Sequence, residues 1–217
     1  MILKELEIEF GNERLILNNQ RALYWPAENA LIIADLHLGK AAHFRKNGIA
    51  IPTQISQTDL YILNKLIVHY QPEKLIIVGD FVHAQTNTEI EDFIKFKANH
   101  STTQFILIKG NHDRLSDTYL HSLGIDFITN ELKMNQISFI HELQQEQYQN
   151  TVSGHIHPGV QFTLGKTKKS LPCFVVDDYS LILPAFSQFT GLDTRNYYSN
   201  NVVFYPFNLK EILEFKF

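Results

Sequence analysis

The sequence predicts an α/β fold: two β-sheets packed as a sandwich, flanked by helices. Three observations predict it. In the first half, short β-branched runs alternate with helix-period stretches, as in a largely parallel sheet. The first 35 residues are all-β, and past His157 the chain turns all-β again around a longer loop at Gln188–Asn201 that can wall the site, which points to a second sheet. Five strand-like runs end in His, Asp or Asn, and open α/β sheets hold their ligands at the carboxyl ends of strands.

Taken in order, Leu6–Phe10 alternates, Gly11-Asn12 turns, and Arg14–Leu17 returns. Ala22–Trp25 and Ala30–Ala34 add two strands on either side of Pro26. From Gly39 to Pro52 runs a connection with Lys40, His43, Arg45 and Lys46, either solvated or placed to steer phosphate. Thr53 precedes a helical stripe of Ile55, Ile62, Leu63, Leu66, Ile67 and Tyr70, which ends at Pro72. Leu75–Val78 is the next strand. Thr88-Glu-Ile-Glu91 fits a capping box before Phe93, Ile94 and Phe96. Phe105–Ile108 is a strand, and Ser116–Leu123 is a helix stopped by Gly124. Strands follow at Ile125–Ile128, Ile137–Ile140, Thr151–Ser153, Val160–Leu164, Leu171–Val176, Ser180–Leu183 and Asn201–Phe207. The run Glu142–Asn150 reads as a connecting loop. Gly165–Lys169 reads as a solvated basic hairpin tip, with phosphate contact as the alternative. His69, His100 and His121 fall on helices and are read as structural.

At 217 residues, 44% hydrophobic and 19% charged, the chain (1–217) is read as one domain with a sizeable core. No apolar run approaches the ~20 residues of a membrane span. Acids near the start replace the basic head of a signal peptide. A single cysteine, Cys173, excludes an internal disulfide framework, so a reducing cytoplasm is the expected location. Its apolar neighbours make it a small hydrophobe rather than a nucleophile. A net charge of −4 leaves nucleic-acid binding to a local patch plus metal.

The five strand ends supply Asp35 and His37, Asp80 and His83, Asn111 to Asp113, His141, and His155 with His157. In an extended segment, residues i and i+2 share a face, so Asp35-x-His37 and His155-x-His157 each present two donors together. Carboxylate, imidazole and amide oxygen suit manganese, iron, zinc or cobalt, with manganese first among them. Asp35, His37, Asp80, Asn111, His141, His155 and His157 are seven ligands, too many for one ion with an open position. Two ions sharing Asp80 use them all. Such a pair clamps the attacking and leaving oxygens of an in-line phosphoryl displacement and acidifies a bridging water into a hydroxide nucleophile. His112, beside Asn111 but not needed as a ligand, is the expected general acid, with Asp113 orienting or polarising it. His83 can reach the phosphate oxygens. Supporting the metal ligands is the alternative role for His112 and His83. Arg45 and Arg114 are the expected substrate contacts.

The series Asp35-x-His37, Gly79-Asp80, Gly110-Asn-His-Asp113, His141 and Gly154-His-x-His157 resembles the calcineurin-like metallophosphoesterase superfamily, with spacings of 45, 31, 30 and 14 residues between successive ligand groups. The resemblance implies a four-layer α-β-β-α fold and a metal-dependent phosphoesterase. It also implies one ion on Asp35, His37, Asp80 and His157 and another on Asp80, Asn111, His141 and His155. Gly79-Asp80-Phe-Val-His83 is similar to the motif of repair nucleases, in which the extra His positions the phosphate. Ala34-Asp-Leu-His-Leu-Gly-Lys40, Phe44-Arg45, Gly48, Leu183-Pro-Ala-Phe186 and Thr190-Gly191 resemble the ligase-associated DNA damage response endonucleases of bacteria and archaea. That narrower likeness implies a DNA phosphodiester substrate, association with a DNA ligase and a helicase, and no membrane. The alternatives are a phosphoesterase of small nucleotides or nucleotide-lipids, and a non-catalytic protein-binding scaffold.

Overall fold

The computed structural model describes residues 2–40, 54–83, 88–143, 149–194 and 201–216. Arg45, His43, Lys46 and the expected cap Thr53 lie outside the described residues.

The first sheet takes its strands in chain order: β1 (Glu5–Phe10), β2 (Glu13–Asn18), β3 (Leu23–Trp25), β4 (Ala30–Ala34), β5 (Lys74–Val78), β6 (Gln104–Ile108) and β7 (Phe127–Thr129). The first four are antiparallel hairpins, and β4 to β7 run parallel. Crossovers need helices, and the sequence supplies them as α1 (Gln54–Tyr70), α2 (Thr88–Ala98) and α3 (Asp117–Ser122). The Ser116 hydroxyl caps α3 by accepting from Tyr119 N.

Burial on both faces explains why β4, β5 and β6 are almost unbroken apolar runs. Leu31, Ile33, Leu75, Ile77, Phe105 and Leu107 pack against the helices, which contribute Leu63, Leu66, Phe93 and Leu120. The alternate residues Ile32, Ala34, Ile76, Val78, Ile106 and Ile108 face the second sheet, where Trp25, Phe139, Val152 and Phe174 fill the space between layers.

That second sheet has the order β15-β14-β12-β13-β10-β9-β8. Its strands are β8 (Leu132–Met134), β9 (Ile137–Phe139), β10 (Thr151–Ser153), β12 (Thr167–Val176), β13 (Ser180–Ile182), β14 (Val203–Pro206) and β15 (Phe215–Lys216), while β11 (Gly159–Leu164) pairs with β12 off the main path. The two sheets and their flanking helices form the expected α/β sandwich. Among the described residues the helices all cover the first sheet, and a small cluster around Cys173, Val175 and Phe204 covers the outer face of the second. Burial pushes the Cys173 thiol up to about 12, consistent with a packing residue. Two short strands, β8 and β15, go beyond the sequence reading. Thr167–Lys169 is strand rather than turn, because Leu164 pairs with Thr167 and leaves only Gly165 and Lys166 at the tip. No helix among the described residues is long and apolar enough to cross a membrane.

Candidate metal centre

Strands β4, β5 and β6 end side by side, and so do β9, β10 and β13. Their carboxyl ends meet along one rim of the sandwich. Phe186 N donates to Ala34 O at 2.7 Å and His155 N to Asp35 Oδ2 at 3.0 Å, so the two sheets are joined where the ligands stand.

Asp35, His37 and His157 form one group whose donor atoms lie within 4.8 Å of one another. His37 Nε2 stands 3.4 Å from His157 Nε2, which in turn lies 3.2 Å from Asp35 Oδ1. Asp35 Oδ1 is buried and has no hydrogen-bond partner. Two imidazole nitrogens facing each other beside a buried carboxylate oxygen need a proton or a cation between them. Two ligands of one ion at ~2.0–2.2 Å lie no more than about 4.4 Å apart, so this set fits a divalent metal.

Asp80, His141 and His155 form the second group. Around His141 Nε2 stand Asn111 Oδ1 at 3.2 Å, Asp80 Oδ1 at 3.3 Å and His155 Nδ1 at 3.3 Å. The other ring nitrogen, His141 Nδ1, lies 3.0 Å from Val78 O. A proton on Nδ1 donated to that carbonyl turns the Nε2 lone pair into the cluster. Asp80 joins the two groups: Oδ1 faces His141, and Oδ2 is 3.9 Å from His37 Nε2. Together they are two candidate metal sites that fit a dinuclear centre.

Five of these residues sit at positive φ: Asp35 (55°), His37 (50°), Asp80 (49°), His155 (71°) and His157 (54°). The expectation that Asp35-x-His37 and His155-x-His157 are extended is therefore corrected. Left-handed residues, not strand alternation, aim the donors. His155 and His157 accordingly diverge, one into each group.

His112 and Asn111 are exposed above the clusters. His112 N donates to Asp80 Oδ1 at 3.1 Å, and its ring lies 5.3 Å from that of His83 and 6.0 Å from that of His37, between centroids. Asp113 does not take the expected part beside His112. Its buried carboxylate accepts from Phe81 N (2.9 Å), Val82 N (3.1 Å) and Gly110 N (2.9 Å), so it fastens the Asp80 loop to the Asn111 loop. Burial raises its pKa, against the pull of those donors. Arg114 is exposed on the same loop, with Nε 3.4 Å from Asn111 O.

Charge in the basin is uneven. Burial, helped by the nearby Lys40 charge, pushes His37 down to about 3 despite Asp80. His141 is raised to about 9: burial opposes this, but its hydrogen bond to Asp80 and the charges of Asp35 and Asp80 outweigh it. For Asp80, burial pushes upward but the hydrogen bond and charge of His141 hold the carboxyl well below the usual range.

Sequence reasoning missed several supports. Glu142, read as part of a plain loop, places a carboxylate oxygen 3.7 Å from His155 Nε2. An acid directly after a ligand histidine was the available signal. Ser187 N donates to Asp35 O at 3.2 Å, and the segment carrying it is anchored from outside. Arg21 Nη1 donates to Ala185 O at 2.8 Å, and Gln188 N donates to the buried Asp59 Oδ1 at 3.3 Å. No local motif marks Arg21 and Asp59, which meet only through the fold.

The sequence model of the calcineurin-like phosphoesterase family matches residues 29–178. Among solved structures, the nuclease MPE of Pseudomonas putida aligns with a TM-score of 0.83 at 29% identity, over 98% of this chain and 100% of that one. Yfce, a phosphoesterase from E. coli, aligns over 86% of this chain and 97% of its own at 14% identity, with a TM-score of 0.40. No curated protein sequence matches. The family match spans every ligand group described above, and the chain belongs to the calcineurin-like phosphoesterase family as a metal-dependent phosphoesterase.

Proposed function

We propose that the chain, as one catalytic domain, is a dinuclear phosphodiesterase that cuts DNA strands in the cytoplasm during repair, alongside a ligase and a helicase. The observation that carries the catalytic part is Asp80, whose two carboxylate oxygens face the two ligand groups. The DNA part is supported by near full-length likeness to the Pseudomonas putida nuclease MPE and by the motif resemblances above. Asp35, His37, Asp80 and His157 would hold one ion, and Asp80, Asn111, His141 and His155 the other, each a borderline divalent metal such as manganese. When bound, the ions supply Lewis acidity and an acidified water for attack on phosphorus.

The chain's own residues do the rest. His112 stands on the exposed side of the pair and delivers a proton to the leaving oxygen. Its backbone N–H on Asp80 Oδ1 ties the position of that proton to the bridging carboxylate. His83, ring to ring with His112, hydrogen-bonds a non-bridging phosphate oxygen. Asp113 holds the loops bearing Asp80 and Asn111 at fixed separation. Arg114 and Arg45 contact the flanking strand.

The test is His112→Ala assayed on aryl diesters of graded leaving-group pKa. Turnover should fall by about 10²–10⁴ for poor leaving groups and far less for good ones, while metal content per chain stays at the wild-type level. An equal loss across the series removes His112 from proton donation. Lost metal instead makes it a support for the centre.

A further inference from the structure

Sheet two sends a ribbon away from the rim and back over its own outer face: Phe162 of β11 meets Phe215 of β15, and Val160 packs against Cys173, Val175 and Phe204. β12 runs antiparallel to β13, with Val175 opposite Ile182 and Val176 opposite Leu181. The start of the ribbon, Pro172 opposite Gly159, therefore lies next to the carboxyl end of β13, on the side where the candidate metal groups stand. From Leu171 back to Thr167, β12 pairs with β11 alone among the described residues. β11 begins at Gly159, two residues after the ligand His157. Six residue pairs make the ribbon, which at ~3.3 Å per residue is about 20 Å long.

The two faces of the ribbon differ. On one, Val160 lies opposite Leu171 and Phe162 opposite Lys169, and Phe162 meets Phe215 with ring centroids 5.8 Å apart. The other carries Gln161 opposite Ser170 and Thr163 opposite Lys168, with Lys166 at the turn. These four and Lys166 are exposed. Between Gly159 and Pro172 there are three lysines and no acid, in a chain whose net charge is −4. Among the described residues, none of the three lysines joins an ion pair. An amide, two hydroxyls and ammonium groups are the donors that grip phosphate oxygens, and no carboxylate stands among them to repel a polyanion. Solubility alone would be met by mixed charges.

We propose that this ribbon is a backbone grip for a polynucleotide substrate, holding phosphates away from the scissile one through Lys166, Lys168 and the Gln161/Thr163/Ser170 face. It rests on the nuclease reading above. At ~3.4 Å per nucleotide, 20 Å of ribbon corresponds to about six nucleotides.

The experiment compares the metal-loaded full chain with its Lys166→Gln/Lys168→Gln variant and with the corresponding double Lys→Arg variant. Substrates are a thymidine oligonucleotide of about 30 nucleotides, a thymidine dinucleotide and an aryl phosphodiester. The ratio of kcat/KM for the long oligonucleotide to that for the dinucleotide should fall about tenfold or more in the Gln variant and be restored by Arg. The log–log salt slope on the long substrate should shrink by about 1.4, at ~0.7 per lost phosphate contact. A wild-type ratio and slope in the Gln variant overturn the ribbon and leave the nuclease reading intact. Equal loss on long and short substrates also overturns it, as a structural effect. Wild-type protein that cleaves the aryl diester but neither oligonucleotide overturns both.

Discussion

Gly154 is a point at which the two sheets press close together behind the candidate centre, so adding one methyl there makes a quantitative test. A Cβ on Gly154 would lie 2.7 Å from Ala34 Cβ, 2.8 Å from Asp35 Oδ2 and 2.9 Å from Val78 O. Ordinary contact is ~3.5 Å, so each neighbour is short by roughly 0.6–0.8 Å. None can swing away, since one is a β-strand methyl, one a backbone carbonyl, and one the carboxylate that accepts His155 N. The rims of the sheets must part, or Asp35 must turn. Overpacking of this kind costs about 1–3 kcal/mol, which at ~2–4 °C per kcal/mol lowers Tm by roughly 2–12 °C. Even half of the displacement exceeds the ~0.2 Å tolerance of a coordination distance. Gly154→Ala should therefore bind less than the wild-type complement of manganese, measured by elemental analysis after gel filtration. Its kcat/KM on an aryl diester should fall by about tenfold or more, since ~1 Å of misplacement costs ~10². Gly191→Ala is the matched control, because nothing stands within 4 Å of its added Cβ. Full metal content and wild-type kcat/KM in Gly154→Ala would refute the claim that the two sheets jointly position Asp35.

Two further substitutions separate structural from catalytic roles. Asp113→Asn keeps one acceptor oxygen but turns an amide N–H₂ toward either Gly110 N or the Phe81/Val82 pair, and should destabilise by about 1–3 kcal/mol in thermal melts. A fall in kcat with no change in Tm would instead return Asp113 to the task of orienting His112. Asp59 tests the outer anchor through pH: burial raises its carboxyl to about 6, against the pull of Ser187, Gln188 and Arg21. The unfolded chain releases that proton first, so the stabilising share of the neutral form is present below ~4 and is lost as pH rises toward 6. Relative to Asp59→Asn, the wild type should lose up to about 3 kcal/mol across that window, and a constant difference between the two melts would count against a buried, reluctant carboxyl.

Strand ends, helices and the clustering of candidate ligands were legible because each rests on local chemistry. Ala30–Ala34, Lys74–Val78 and Gln104–Ile108 are buried on both faces, and no other placement suits three such runs. The ligand types are equally local, since Asp and His next to a strand end have few alternative uses. The missed features all depend on partners distant in sequence. β8 is too short to show an alternating pattern of its own and emerges only when Leu132 is placed opposite Phe139. Asp113 looks like a partner for its neighbour His112 until the fold brings Phe81 and Val82 to its oxygens. Arg21 and Asp59, 38 positions apart, meet only because the segment 185–188 passes between them.

The positive φ angles show how local chemistry and conformation select the same side chains. A left-handed residue costs about 1–2 kcal/mol for most L-amino acids, and Asp, Asn and His are the types that bear it best. These are also the ligand types a borderline metal needs. At Asp35, His37, Asp80, His155 and His157 a single left-handed step turns the chain off its strand and aims the donor inward. Such strain persists only where neighbours over-determine it. Here Asp35 N is held by Gly79 O at 3.1 Å and His37 N by Asp80 O at 2.8 Å, so the strained backbones of the two loops fix each other. His141 is absent from the positive-φ group and is fixed by another device, the contact of its Nδ1 with Val78 O. Strain aims the ligands that leave strands abruptly, and a hydrogen bond aims this ring. In both cases backbone conformation and hydrogen bonding within the protein, rather than strand alternation, set where the donor points.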